Sequence, residues 1–312
     1  MAVEIEKISL PTIPEISQAE ILVGAPGDRT KCRGALVLCP GQNGSSEEMV
    51  QNVIWQKFAE REALALVGFR FVSLDKDLQN GRGYFQAARG SGLLLEAGLK
   101  RAGLEGVPLL LYGFSGGAHF AMSFAAWKPD RVRAFCAYSF AWWDQPPKKL
   151  NCPALIVCGQ ADGLRYGSSL AYFQAGRKMG KPWTWVSLQD TPHAPNADLD
   201  DFVRDYFSCV LNGGKTITPT STQTGLSLPI RAAAVTDAQQ QPGFQSQRIV
   251  EEEIFDCLPI SEPVGISRRK ADKLLVDNMT TKKVRERAKD DVSTSVLPCL
   301  DLWPKWQAIH YP

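Results

Sequence analysis

Short apolar runs recur along the first two thirds of the chain and alternate with stretches of helical spacing. Runs short enough to be buried strands lie at 19–23, 35–38, 69–74, 107–112, 132–139, 154–159 and 183–188. Helical spacing is found at 45–66, 85–104, 116–127, 168–178 and 198–211. This alternation predicts an α/β fold with a mostly parallel, doubly wound sheet that helices cover on both faces.

The first two runs are joined by the turn-rich residues 24–28, and this pattern predicts a hairpin that enters the sheet. Composition changes at 212–214, so residues 1–212 are predicted to form the α/β domain. Residues 213–248 are rich in Thr, Gln, Ser, Pro and Ala and are predicted to be a polar linker. Residues 249–312 form a C-terminal extension.

The C-terminal extension carries two patterns. A moderate helical spacing with dense mixed charge covers 266–292. The last residues are apolar enough to dock on a surface; they include Leu300, Leu302, Trp303, Trp306 and Ile309. The docking surface is either the first domain or a partner, and the role of the extension stays open.

Composition excludes some classes of protein and favours others. The 312 residues carry a net charge of +2, which gives no reason to expect a nucleic-acid partner. No stretch approaches the roughly 20 apolar residues of a membrane span. The acidic start of the chain lacks a signal-peptide pattern, and the eight cysteines show no metal-type spacing. A cytoplasmic chain with reduced cysteines is the simpler expectation.

The candidate nucleophile is Ser115, in the sequence Gly113-Phe114-Ser115-Gly116-Gly117. This G-x-S-x-G lies between the apolar run that ends near 112 and the helical stretch 116–127. A strand, a sharp turn and a helix would hold the serine hydroxyl clear of the sheet, and glycines would let the backbones pass closely. The alternative is a tight turn that contains a serine by chance.

A serine nucleophile needs a base, and the chain has only three histidines. His193 lies in the loop after the last predicted strand, where the base of such a sheet belongs. His119 lies one helical turn after Ser115 and is predicted to be structural, because a side chain there packs along its helix. His310 lies in the tail and is expected to be unrelated to the site.

The base needs an acid that orients it, and Asp162 is the first candidate. It follows the predicted strand 154–159 and precedes His193 in the chain, although a loop aspartate is also a common turn former. Two alternatives are weighed beside it. Asp190 is only three residues before His193, and Asp144 follows the preceding strand.

An oxyanion hole needs two backbone N–H groups. One is predicted to come from Gly116, the residue after the nucleophile, and the other from the loop 40–44. Gln42 is the first candidate in that loop and Asn43 the second. The alternative is a glycine-bearing loop that only leads into a helix.

The sequence leaves little room for a lid over the site, but it offers aromatic residues for a substrate pocket. Only 140–152 separate two predicted strands, so no sizeable cap is expected. Some aromatic residues near the site could either line a substrate pocket or pack in the core. They are Phe114, Trp142 and Trp143, and the same two interpretations are open for Tyr84 and Phe85.

These motifs together resemble the α/β-hydrolase superfamily over residues 15–212. The resemblance rests on Gly113–Gly117, on Asp162 and His193 in that order, and on Pro40-Gly41-Gln42 upstream. The chain is most similar to small esterases of the polyhydroxyalkanoate-depolymerase and feruloyl-esterase type, and to dienelactone-hydrolase-like and prolyl-oligopeptidase-like proteins. One departure is Pro40-Gly41, where many lipases and esterases have His-Gly.

The resemblance implies a fold with little or no cap and a role for each site residue. Ser115 would be the nucleophile, His193 the base and Asp162 the acid, with Gly116 and Gln42 as oxyanion donors. The predicted function is hydrolysis of a small-molecule carboxylic ester, with no cofactor or metal. Alternatives are a serine peptidase or thioesterase of the same fold, and a non-catalytic binding module that acts through its C-terminal tail.

Overall fold

A computed structural model describes residues 5–24, 28–78, 81–141, 144–213 and 295–310, with one eight-stranded sheet at the centre. In chain order the strands are β1 Ile5–Ser9, β2 Ile16–Gly24, β3 Gly34–Cys39, β4 Leu64–Ser73, β5 Leu109–Phe114, β6 Val132–Tyr138, β7 Ala154–Gly159 and β8 Trp183–Leu188. The α-helices of these residues are α1 Glu47–Gln51, α2 Val53–Arg61, α3 Asp75–Leu78, α4 Ser91–Arg101, α5 Gly116–Trp127, α6 Leu164–Lys178, α7 Ala197–Leu211 and α8 Trp303–Ile309. None of these helices is both long and apolar enough to cross a bilayer.

The sheet has the order β1-β2-β4-β3-β5-β6-β7-β8. β3 to β8 are parallel to one another, while β1 and β2 run antiparallel at one end. Alternate residues of the fully buried β3 belong to two hydrophobic cores: Val37 faces the core that includes α4, α5 and α6, and Leu38 faces the one that includes α2 and α7. The predicted α/β class with a mostly parallel sheet covered on both faces is therefore confirmed.

The predicted hairpin between the first two apolar runs is wrong. β4 lies between β2 and β3; it pairs antiparallel with β2 and parallel with β3. Turn residues such as those at 24–28 set local backbone angles, but they do not choose the strand with which the chain pairs next. In the fold, β3 is buried along all six residues between the parallel strands β4 and β5.

Two predicted helices are shorter than the sequence pattern indicates. The stretch 45–66 contains α1 and α2, which are separated at Asn52, and β4 already begins within it. The side chain of Asn52 accepts a 2.8 Å hydrogen bond from the Ile54 N–H and so caps α2. The stretch 85–104 contains a helix only from α4 onward. Apolar residues of β4 extended the first pattern beyond its helices, and apolar residues before and after α4 extended the second.

The C-terminal segment, residues 295–310, docks on the sheet domain. Leu302 and Trp306 are buried in the core that also contains residues of β8 and α7. In this structure the docking surface of the tail is therefore the first domain. The predicted linker beyond Gly213 and the helical pattern at 266–292 lie outside the described residues.

The expectation of a fully reduced chain is wrong for one pair of cysteines. Cys209 of α7 and Cys299 of the C-terminal segment form a disulfide across 90 residues of sequence. No local spacing could predict this bond, because only docking of the segment brings the two sulfurs together. The free cysteines of the described residues are Cys32, Cys39, Cys136, Cys152 and Cys158.

Candidate active site

Ser115 lies at the apex of a sharp turn between β5 and α5. Its backbone has φ 55° and ψ −122°, a left-handed conformation that is strained for a residue with a side chain. A 2.9 Å hydrogen bond from the Ser115 N–H to the carbonyl oxygen of Tyr138 ties the turn to β6. The strand, turn and helix predicted around the serine are all present.

Two glycines of the motif are required by close approach of backbones. A Cβ on Gly113 would lie 2.0 Å from the carbonyl oxygen of Gly117. A Cβ on Gly117 would lie 2.1 Å from the carbonyl oxygen of Cys39, at the end of β3. Real Cβ contacts are never so short, so the turn can form only with glycine at both positions.

The structure brings Ser115, His193 and Asp162 together, although they are far apart in the chain. The Nε2 atom of His193 lies 3.0 Å from the Ser115 hydroxyl oxygen. Its Nδ1 atom lies 3.0 Å from Oδ2 of Asp162. Asp162 follows β7 and His193 follows β8, so both residues stand at the carboxyl ends of neighbouring parallel strands.

Asp162 is held as a carboxylate. Its side chain is only 1 % exposed, and Nη1 of Arg165 lies 3.3 Å from Oδ1. Burial raises the pKa of this carboxyl. The hydrogen bond to His193 and the charge of Arg165 lower the pKa by more than burial raises it, so it lies below its ordinary value. A charged Asp162 accepts a hydrogen bond from the Nδ1–H of His193 and leaves Nε2 free to face the serine.

The two alternative acids lie elsewhere. Asp190 is exposed. Asp144 has its Oδ2 atom 3.8 Å from Nε2 of His119, not beside His193. The structure therefore places Asp162, and neither alternative, against the imidazole of His193.

His193 is steadied by aromatic residues. The ring of Phe114 stacks on the imidazole with centroids 4.8 Å apart, and it also packs against Tyr138 at 5.1 Å. The Tyr138 hydroxyl donates a hydrogen bond to the carbonyl oxygen of Ala194, the next residue in the His193 loop. Phe114, a predicted pocket residue, thus contacts the site through the imidazole of His193.

The loop 40–44 lies over the start of α5. A Cβ built on Gly116 would lie 3.1 Å from the backbone nitrogen of Gln42. A Cβ on Gly41 would lie 3.8 Å from Cβ of Ser115. The first N–H groups of a helix have no partner within it, so the N–H of Gly116 is available at this place. Gly116 and Gln42, the two predicted oxyanion donors, are therefore adjacent.

Asn43, the second candidate donor, has a different task. Its backbone has φ 54°, and the Gly44 N–H closes the turn with a 2.9 Å hydrogen bond to the Gly41 carbonyl oxygen. The Asn43 side chain accepts from the Ser73 N–H at 2.8 Å and donates to the Ser73 carbonyl oxygen at 3.2 Å. It therefore fixes the loop to the end of β4.

Tyr84 is a residue of the site that the sequence left undecided between pocket and core. It is fully buried, and its hydroxyl donates a 2.7 Å hydrogen bond to the carbonyl oxygen of Pro40. The same hydroxyl lies 2.9 Å from the position of a Cβ on Gly116. A buried tyrosine needs a partner for its hydroxyl, but only the fold shows that this partner belongs to the loop of Gln42.

The remaining predicted residues fall away from the three hydrogen-bonded side chains or outside the described residues. His119 is buried between the rings of Phe85 and Phe140, at 4.9 and 4.5 Å between centroids. Trp142 and Trp143 lie outside the described residues. Within the part of the chain that the structure describes, no group of three or more His, Cys, Asp or Glu residues is placed to hold a metal ion.

Several solved structures resemble this chain. A predicted CIB-like hydrolase from Thermoplasma acidophilum has a TM-score of 0.50 and 14% identity, over 67% of this chain and 99% of its own. A ferulic acid esterase has a TM-score of 0.50 and 12% identity, over 68% of this chain and 98% of its own. An α/β-hydrolase enzyme from a Medee basin deep-sea metagenome library has a TM-score of 0.50 and 15% identity, over 68% of this chain and 99% of its own. No family model and no curated protein sequence matches.

Proposed function

Because the chain has the α/β-hydrolase fold, we propose that it is a serine hydrolase that cleaves a small-molecule carboxylic ester through an acyl-enzyme. One observation carries the proposal: Ser115, His193 and Asp162 form a continuous series of contacts, each 3.0 Å long. A hydroxyl, an imidazole and a buried carboxylate in this order are the groups that activate a serine.

In the first step His193 acts as the general base. Its Nε2 atom takes the proton of the Ser115 hydroxyl while the oxygen attacks the carbonyl carbon of the ester. The carbonyl π electrons move to the oxygen, which becomes an oxyanion. The backbone N–H groups of Gly116 and Gln42 would donate to that oxygen, and loss of one such donor costs about 2.7–4 kcal/mol of barrier.

Asp162 supports the same step without taking up the proton. Its carboxylate accepts the Nδ1–H of His193, which selects the tautomer whose Nε2 is basic. When the imidazole becomes charged, the carboxylate stabilises it across 3.0 Å. The low pKa of Asp162 keeps the carboxylate ionised over the pH range in which a histidine can act as a base.

The second half of the reaction returns the enzyme to its starting state. The imidazolium gives its proton to the leaving alcohol as the C–O bond breaks, and the acyl group remains on Ser115. His193 then deprotonates a water molecule, which attacks the acyl carbon. The C–Oγ bond breaks, Ser115 regains the proton, and the acid product leaves.

A fluorophosphonate probe tests whether Ser115 is activated. Wild-type protein is expected to be labelled covalently, and Ser115→Ala and His193→Ala to be labelled at least a hundredfold more slowly. The exposed Ser45, changed to alanine, provides a matched control that should be labelled like the wild type. Wild-type protein that reacts no faster than Ser115→Ala would support the binding-module alternative and contradict the proposal.

The bond that is cleaved is tested separately. We expect turnover of p-nitrophenyl esters in a series of rising acyl length to exceed that of peptide amides and acyl-thioesters. Faster cleavage of a peptide or a thioester than of every ester would keep the serine mechanism and replace the ester by that substrate class. Ser115→Ala serves as the blank for each substrate.

A further inference from the structure

β8 is an end strand of the sheet, and within the described residues no strand pairs with its outer side. Such an edge usually leaves backbone groups open to other chains. Here the C-terminal segment, residues 295–310, occupies it. The Val296 N–H donates a 3.0 Å hydrogen bond to the carbonyl oxygen of Trp183, and the Trp185 N–H donates to the Ser295 hydroxyl at 2.8 Å.

Two ring side chains continue this cover toward the end of β8. The indole N–H of Trp306 donates to the carbonyl oxygen of Trp185 at 2.8 Å. The Ser187 N–H donates to Nδ1 of His310 at 3.0 Å. The two rings are stacked on each other, with centroids 4.2 Å apart. Side chains of the segment thus take the hydrogen-bonding place of a ninth strand.

The same segment is fastened to α7. Cys299 is bonded to Cys209 of this helix, and Lys305 forms an ion pair with Asp205 one turn earlier. Leu302, only 2 % exposed, packs in the core between them. The segment is therefore covalently attached to α7 and hydrogen-bonded to β8.

β8 and α7 are the two elements that flank the loop 189–196, which carries His193. The loop has anchors of its own, among them the contacts of His193 with Asp162 and with the ring of Phe114. The Ala161 N–H donates to the Thr191 carbonyl oxygen at 3.1 Å, and Tyr138 donates to Ala194. The C-terminal segment therefore contacts both elements from which the His193 loop extends.

We propose that the C-terminal segment is a redox-controlled clasp that holds His193 in line with Ser115, and that a dithiol reductant loosens it. This inference rests on the proposed function, since it assigns His193 the role of base. In the reduction the two thiols of the reductant give up two electrons and two protons and become a disulfide. The sulfurs of Cys209 and Cys299 receive them and become two thiols.

The physical basis is the tether. The disulfide closes 90 residues into a loop, and its cleavage restores the chain entropy that this loop had lost. The remaining contacts must then hold the segment without a covalent bond. A catalytic group that moves by about 1 Å can lose a hundredfold in rate, so partial loosening is expected to lower kcat about tenfold.

The experiment compares oxidised full-length protein with protein reduced by dithiothreitol, and with the double variant Cys209→Ser/Cys299→Ser. We expect kcat on an ester to fall about tenfold in both cases, with KM changed less than twofold. Hydrogen exchange at the amides of Trp185 and Ser187 is expected to accelerate. Reoxidation should restore kcat in the wild-type protein but not in the double variant. Cys32→Ser, which removes a free cysteine, should behave like the wild type throughout.

Complete reduction, verified by thiol titration, with unchanged kcat would overturn the inference even if the β8 amides exchanged faster. If the double variant does not fold, the reversible reduction of wild-type protein decides. The two proposals fail in different ways. Oxidised protein that a fluorophosphonate does not label contradicts the proposed function, whereas equal labelling rates before and after reduction contradict the clasp.

Discussion

The hydroxyl of Tyr84 donates a 2.7 Å hydrogen bond to the carbonyl oxygen of Pro40 and lies directly beneath the start of α5. This contact joins the helix that follows Ser115 to the loop that carries Gln42. The two proposed oxyanion donors are adjacent because this buried side chain and the Asn43–Ser73 hydrogen bonds fix the loop. A preorganised pair of donors costs no rearrangement when charge develops.

Tyr84→Phe is therefore expected to lower kcat about fivefold, with KM nearly unchanged. The change removes one buried hydrogen bond, worth about 1 kcal/mol, from the support of the loop. Steady-state kinetics on a p-nitrophenyl ester measures the effect. Tyr206→Phe is the matched control, since it removes the hydroxyl of another fully buried tyrosine in α7. An equal loss of kcat in both variants would show that Tyr84 has no special role.

Gly113→Ala is expected to prevent formation of the turn or to destabilise the fold by more than about 3 kcal/mol, because the new Cβ would lie 2.0 Å from a backbone oxygen. Gly167→Ala in α6 is the control. Its Cβ would meet nothing within 4 Å, so it should raise stability by about 0.5–1 kcal/mol. Urea denaturation measures both values. Equal stability of the two variants would contradict the steric explanation.

Under the proposed mechanism, Asp162→Asn is expected to lower kcat by about 10³–10⁴, by analogy with the loss of the orienting carboxylate in serine hydrolases. The amide cannot stabilise the imidazolium, and it favours the wrong tautomer of His193. The control Asp190→Asn changes an exposed aspartate three residues from His193 and should retain full kcat. If Asp190→Asn were the more damaging change, the assignment of the acid would be wrong.

The docking of the C-terminal segment is expected to weaken in acid. Burial lowers the pKa of His310 to about 4 from an ordinary value of 6.5. The undocked histidine therefore binds a proton between pH 6.5 and 4 that the docked one does not. The free energy that stabilises docking is therefore at its full value above pH 6.5. It decreases by about 3 kcal/mol as the pH falls to 4.

Hydrogen exchange at the Ser187 amide, followed from pH 7.5 to 4.5 with correction for the intrinsic rate, measures this loss. In His310→Asn the amide oxygen of the new side chain can replace Nδ1 as acceptor but does not titrate in this range. The variant is expected to keep its protection at pH 4.5. The same loss of protection in both proteins would assign the pH dependence to another group.

Periodicity in the sequence predicted most elements of this fold because burial on a parallel sheet leaves a local trace. The run before Ser115 and the helix after it are examples, since each pattern is complete within a dozen residues. The partner of β2 could not be predicted in the same way. A turn at 24–28 reports only that the chain reverses, and the position of β4 between β2 and β3 depends on residues 64–73, much further along the chain.

Most of the strands and helices, the serine turn and the residues available for its chemistry could be predicted from local patterns in the sequence. Glycine at 113 and 117 and the scarcity of histidine carry that information locally. The contacts between distant residues became visible only in the folded chain. Asp162, rather than Asp144, contacts His193, Tyr84 contacts Pro40, and Cys209 is bonded to Cys299. Local patterns record the backbone angles and the burial of each segment, whereas contacts between distant residues follow from packing of the whole chain.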